Sequence, residues 1–139
     1  MTKAQVMATI ILISLLSPNF LLSSQASTTS LSISSGSHQT INLGQINESM
    51  EIRIDYSVSD DIDTILMTSG QYTAWQNGNT AHIESGSDYN DDNDDYIFTT
   101  TSTDTYYLIF DNSGSIGSAA ATGTTVTGNV DVMVSTPSS

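Results

Sequence analysis

An all-β fold, a jelly-roll-like antiparallel β-sandwich of seven to eight short strands, is what the sequence predicts, and three observations predict it. Met50, Ile52, Ile54, Tyr56 and Val58 alternate with Glu51, Arg53, Asp55 and Ser57, a period of two that means one dry face and one wet face. Turn signals at Ser35-Gly36-Ser37, Asn77-Gly78-Asn79, Ser85-Gly86-Ser87 and Asn112-Ser113-Gly114 separate runs rich in β-branched and aromatic residues. After the first 26 positions no stretch of about a dozen residues carries a 3.6-residue repeat, so no helix is expected there.

The elements follow in order. Residues 1–26 read as an export signal: Lys3 is the positive start, Val6 to Leu16 is the apolar stretch, and Ser24-Gln25-Ala26 offers small residues for cleavage before Ser27. Read instead as an uncleaved membrane anchor, the stretch would be broken by Pro18 and Asn19. Residues 27–37 form a flexible segment or a donor-type strand, in which Leu31 and Ile33 alternate with serines. The sandwich occupies 38–135, with strands at Ile41 to Leu43, Met50 to Val58, Ile62 to Thr68, Tyr96 to Thr100, Thr105 to Asp111 and Val126 to Val134. Thr105 to Asp111 is the most apolar run and belongs centrally in its sheet; Tyr106 and Tyr107 must point to opposite faces. Ser113 to Thr127 is small and polar, a mobile loop by composition, and 136–139 is a tail.

Charge narrows the function classes. Of 139 residues, 2 are Lys or Arg and 15 are Asp or Glu, a formal charge of −13. Cleavage would remove Lys3 and so take −13 to −14, with Arg53 the one strong base left. Such a surface cannot neutralise phosphates, which excludes nucleic acid, and it is repelled by anionic lipid headgroups, so no membrane contact is expected once the signal is cut. The absence of cysteine excludes disulfides and thiolate metal sites. An exported, extracellular protein of this kind must draw its stability from packing, helped by salt or bound cations.

Asp61-Ile62-Asp63-Thr64-Ile65-Leu66-Met67, then Tyr72 and Trp75-Gln76-Asn77-Gly78, then Thr105 to Ser113 (TYYLIFDNS), then Val130-Asp131-Val132 form an ordered series. It resembles the GOLD-type β-sandwich of the p24 cargo-receptor family, and it looks like the pre-peptidase C-terminal domains of exported proteins. The likeness runs from about Gln39 to Ser135. It implies a sandwich used for protein or glycan contact, with no catalytic residues to carry over. The cysteine pair, coiled coil and membrane helix of p24 proteins are absent, which removes a role in vesicle traffic from what the resemblance implies.

Asp88-Tyr89-Asn90-Asp91-Asp92-Asn93-Asp94-Asp95 is the densest set of oxygen-bearing side chains. Asp88, Asn90, Asp92 and Asp94 alternate like the start of an EF-hand loop, but Asn93 and Thr99 stand where that loop needs Gly and Glu. A looser Ca2+ site, completed by Asp60, Asp61 or Asp63, is one reading; a solvated acidic loop is the other. Tyr72, Trp75 and Asn77 offer a surface on which a sugar ring could stack, unless Trp75 instead plugs one end of the core. Asn47-Glu48-Ser49 matches an N-glycosylation acceptor. His38 and His82 are isolated, and neither a nucleophile elbow nor a phosphate-binding loop occurs. The chain is therefore expected not to be an enzyme but to act by contact, as an adhesion or surface-assembly module able to self-associate by strand addition. The alternatives are a calcium-assisted carbohydrate-binding module and an accessory domain to a secreted hydrolase.

Overall fold

The computed structural model describes residues 24–116 and 119–137. Most of the predicted export signal, up to position 23, and the last two residues of the predicted tail lie outside them. Six strands and one helix succeed one another: β1 (Ser24–Ile33), β2 (His38–Ile46), β3 (Glu51–Thr68), α1 (Ser69–Gln76), β4 (Ile83–Thr99), β5 (Asp104–Asp111) and β6 (Val126–Ser135). Every pairing is antiparallel, in the order β1-β6-β3-β5-β2, with β4 added against β3. The fold is all-β, as the alternation predicts.

The strand count is lower than seven or eight because two predicted strands are one. β3 runs unbroken for 18 residues, and its register against β4 shifts between Ser57 and Ile62. The exposed Ser59, Asp60 and Asp61 mark that shift, and their polarity imitates a loop in the sequence. The first half of β3 pairs with β6 and the second half with β5, while β4 accompanies both. One curled sheet thus serves as two packed layers. Between them lie Leu31, Ile33, Ile41, Ile52, Ile54, Tyr56, Phe98, Tyr106, Leu108, Phe110, Val130 and Val132, all buried. Each such side chain contributes roughly 1.5–3 kcal/mol by leaving water.

The two halves of β3 differ in what covers their outer side. From Glu51 to Val58 burial alternates, so the outer face stays wet; from Ile62 to Met67 every residue is buried. There the outer side chains Ile65 and Met67 join Ile109 and Ile116 in a second apolar cluster, with Tyr72, Trp75, Tyr89 and Tyr107 packed on it. Tyr106 faces the main core and Tyr107 the second cluster, as their adjacency requires.

β1 is a correction to the sequence reading. Residues 27–37 do not hang free as a donor segment: Ser24 to Ile33 pairs rung by rung with Ser135 to Val126 of the same chain. The strand also takes in Ser24, Gln25 and Ala26, assigned above to the export signal. The β1–β2 seam is bridged by a side chain, since Gln39 Nε2 donates to the Ser30 carbonyl and its Oε1 accepts from the Ser32 amide, each at 3.1 Å.

The loop after β5 is tied down where its composition suggested mobility. Asn112 Nδ2 donates to the carbonyls of Ile33 and Thr124, and its Oδ1 accepts from the Thr122 amide.

Candidate functional site

The acidic run does not form a loop. Asp88 to Asp95 lies within β4, a strand that pairs only with β3 among the described residues. Unpaired strand edges invite intermolecular pairing, and charges along them prevent it. Asn90 has φ +57°, which breaks the alternation that would have aligned Asp88, Asn90, Asp92 and Asp94 on one side. Instead Asp88 and Asp94 come within side-chain hydrogen-bonding reach of each other, with Asp91 near enough to act on them, while Asp92 and Asp95 take partners elsewhere. Asp88 is half-buried and accepts the Tyr56 hydroxyl at 2.6 Å. Burial raises its carboxyl above the usual range, the charges of Asp94 and Asp91 push the same way, and the Tyr56 bond opposes them. Asp92 accepts from Asn93 Nδ2 at 2.7 Å, and Asp94 from the Asp95 amide at 2.7 Å. Asp95 is taken by Arg53, whose Nε donates at 2.7 Å and whose Nη2 donates to the second oxygen; that bond holds the Asp95 carboxyl below its ordinary value. Asp61 is exposed in the β3 irregularity. Among the described residues, no three carboxylate or imidazole side chains converge as a metal set would.

Asp63 and Asp111 are direct register partners across β3 and β5, and both are fully buried. Two facing carboxylates in a dry place demand compensation, and backbone amides supply it. Asp63 accepts from Asn90 at 2.9 Å and Ala119 at 2.8 Å, while Asp111 accepts from Ser113, Ser115 and Ile116, each at 3.2 Å. The pair thereby holds the loop after β5 over the second cluster. Asp63, named above as a metal ligand, has this anchoring role.

α1 caps the same face. Thr68 and Gln71 make a reciprocal capping box, with the Gln71 amide donating to Thr68 Oγ1 at 3.3 Å and the Thr68 amide to Gln71 Oε1 at 3.0 Å. Tyr72 stacks on Tyr107 of β5, centroids 4.1 Å apart and planes 8° from parallel, and Trp75 and His38 meet in a T-shape with centroids 4.7 Å apart. Burial lowers the His38 pKa, against the pull of Asp111. Asn77 closes the helix, its Nδ2 donating to the Thr73 carbonyl at 3.1 Å. Tyr72, Trp75 and Asn77 are brought close, as the sequence suggests, but on a helix rather than a loop, and both rings are half-buried with one face already engaged. Trp75 does not plug the main core; it seals the second cluster from outside. Asn47 is exposed at the turn after β2.

One further cluster escaped the sequence reading. The Tyr89 hydroxyl lies 2.7 Å from His82 Nε2 and 3.0 Å from Glu84 Oε1, while His82 Nδ1 faces the Thr80 carbonyl at 2.7 Å. Burial, with the Glu84 bond next, pushes the Tyr89 hydroxyl up to about 12, so it stays protonated and cannot act as a base near neutral pH. The set straps the start of β4 to the segment after α1.

The fold resembles that of a lysozyme inhibitor. One similar solved structure is PliG of Aeromonas hydrophila, a periplasmic inhibitor of g-type lysozyme, with a TM-score of 0.58 and 10% identity over 93% of this chain and 99% of that one. No family model matches the sequence, nor does any curated protein. At that identity the likeness establishes the β architecture, carried by almost the whole of both chains.

Proposed function

We propose that this chain is an exported, non-catalytic β-sandwich that works by binding another protein at the cell surface or in the envelope. One observation carries the reading: the side chains that come nearest to a catalytic constellation are committed to structure. Asp63 and Asp111 hold backbone amides, Asp95 holds Arg53, and His82 and Tyr89 hold each other. What is left for function is surface. The likeness to PliG, described as an inhibitor of a protein target, supports action by contact, because the shared body extends over nearly the whole of both chains.

The test is incubation of the full chain with g-type lysozyme, read by co-elution and by the rate of cell-wall lysis. Co-elution with slowed lysis supports the reading and names the partner class. Free elution of both proteins with undiminished lysis removes that enzyme as partner and leaves adhesion or surface assembly as the form the contact takes. Turnover of glycan, ester or peptide substrates by the chain alone would overturn the reading altogether.

A further inference from the structure

The outer side of the sheet where β4, β3, β6 and β1 lie together is covered by no other element among the described residues, and its side chains form straight cross-strand rows. In one row Asp95, Asp55 and Asp131 are successive register partners, with Thr28 beyond them on β1. In the adjoining row Ile97, Arg53 and Met133 are partners, with Ala26 beyond. All of these residues are exposed, and Ile97 at 55% and Met133 at 37% are the large apolar side chains left most open to water among the described residues.

We infer that this face is a docking surface for a basic protein partner, one that presents lysine or arginine around a small apolar contact. The inference rests on the protein-binding reading above and adds the face and the partner's chemistry. Facing positions in such rows lie roughly 4.5–5.5 Å apart, where like charges destabilise a sheet. Asp95 is neutralised from within by Arg53, and Asp131 accepts the Thr28 hydroxyl at 2.6 Å. Asp55, between them, has only like charge in its own row, and the Arg53 charge that also reaches it is held by the two oxygens of Asp95. A cation delivered by a partner would relieve that repulsion, and Ile97 and Met133 would supply dry contact beside it. The charge of −13 opposes a second copy of this chain as occupant and would steer a basic protein toward it.

The experiment measures binding of the full chain to cytochrome c, a strongly cationic protein whose apolar haem edge is ringed with lysines, and to g-type lysozyme. Wild type is compared with Asp55→Asn/Asp131→Asn and with Glu48→Gln/Asp60→Asn, which removes as much charge from elsewhere. The face variant should bind at least about tenfold more weakly with a shallower salt dependence, and the control should stay within about twofold of wild type. Met133→Ser should weaken binding by about threefold in high salt, where charge is screened. Equal losses in the two double variants would overturn the proposal by reducing it to net charge. Wild-type binding that survives Asp55→Asn/Asp131→Asn would overturn the face while leaving the protein-binding reading intact. Absence of binding to both probes would overturn the partner chemistry, and the lysis and turnover assays decide the broader reading separately. Thermal melts show that the variants fold, an expected result because both aspartates are exposed and face like charge.

Discussion

The Gln39 side chain stands in for a peptide group opposite Ser30 of β1: its amide donates to the Ser30 carbonyl and accepts from the Ser32 N–H two residues on. A buried glutamine thereby closes a seam where β1 and β2 do not share a ladder. Gln39→Met keeps the length and removes both bonds, leaving a backbone donor and an acceptor unpaired. The expected cost is about 2 kcal/mol, read by urea unfolding, with faster hydrogen exchange at the Ser32 amide as the local signature.

The Asp63–Asp111 pair makes a sharper case. Asp111→Ala strips three backbone amides of their acceptor inside a buried loop and should cost about 3 kcal/mol or more. Asp111→Asn retains one accepting oxygen and should cost less. Exchange protection of the Ile116 amide separates the two, since it should vanish in the alanine variant and persist in part in the asparagine one.

Asp88 works against the native state near neutral pH. Its folded pKa is raised by burial first and by Asp94 and Asp91 next, so the protonated form is favoured on folding. The associated stability is present below the ordinary carboxylate value and is lost as pH rises through the raised one. Asp88→Asn should therefore stabilise at pH 7 by on the order of 0.5 kcal/mol, a modest figure because the group is partly solvated. The gain should disappear at low pH. Thermal melts from pH 3 to pH 7 read it directly.

Two glycines should respond in opposite directions. A Cβ on Gly128 would fall 2.0 Å from the Ser57 carbonyl oxygen and 2.7 Å from Val58 Cα, both on the backbone of β3. Gly128→Ala should thus force β6 away from β3 and cost several kcal/mol or prevent folding. Gly70, within α1, meets nothing within 4 Å. Gly70→Ala should stabilise by about 0.5–1 kcal/mol. Paired melting curves test the contrast.

Calcium offers a fifth check. Asp88 and Asp94 meet as a pair, but among the described residues no three acids converge as a cation set would, so calcium chloride should raise the melting midpoint no more than sodium chloride of equal ionic strength. A specific rise of several degrees at millimolar calcium, reversed by chelator, would mean that the side chains regroup around the ion.

Much of the architecture was legible because its cause is local. Alternation from Met50 to Val58 marks a sheet with one open face. The apolar runs at Ile65 to Met67 and Tyr106 to Phe110 mark a region covered on both sides. The parts misread have physical reasons. Ser59-Asp60-Asp61 looks like a break because an irregular strand segment facing water is as polar as a loop. Asp88 to Asp95 looks like a loop because Asp and Asn disfavour strands, a preference that an edge strand can override. α1 is eight residues long and has no fully buried position, too little for periodicity to register, although Thr68-x-x-Gln71 was visible as a capping box. Tyr72 could be marked as a contact residue from its neighbours in sequence, but its stacking on Tyr107 depends on a long-range pairing that no local pattern announces.

The acid-lined strand β4 bears on the protein's life before and after folding. A nascent or partly opened chain with this many β-forming runs is exposed to fibrillar association, and a carboxylate barrier along the open margin is a safeguard that needs no chaperone. Such a barrier holds only while its groups are ionised. Acidification thus weakens the keeper of solubility at the same moment that it relieves the strain at Asp88, so a change that eases this one site is also one in which neighbouring molecules are least well kept apart.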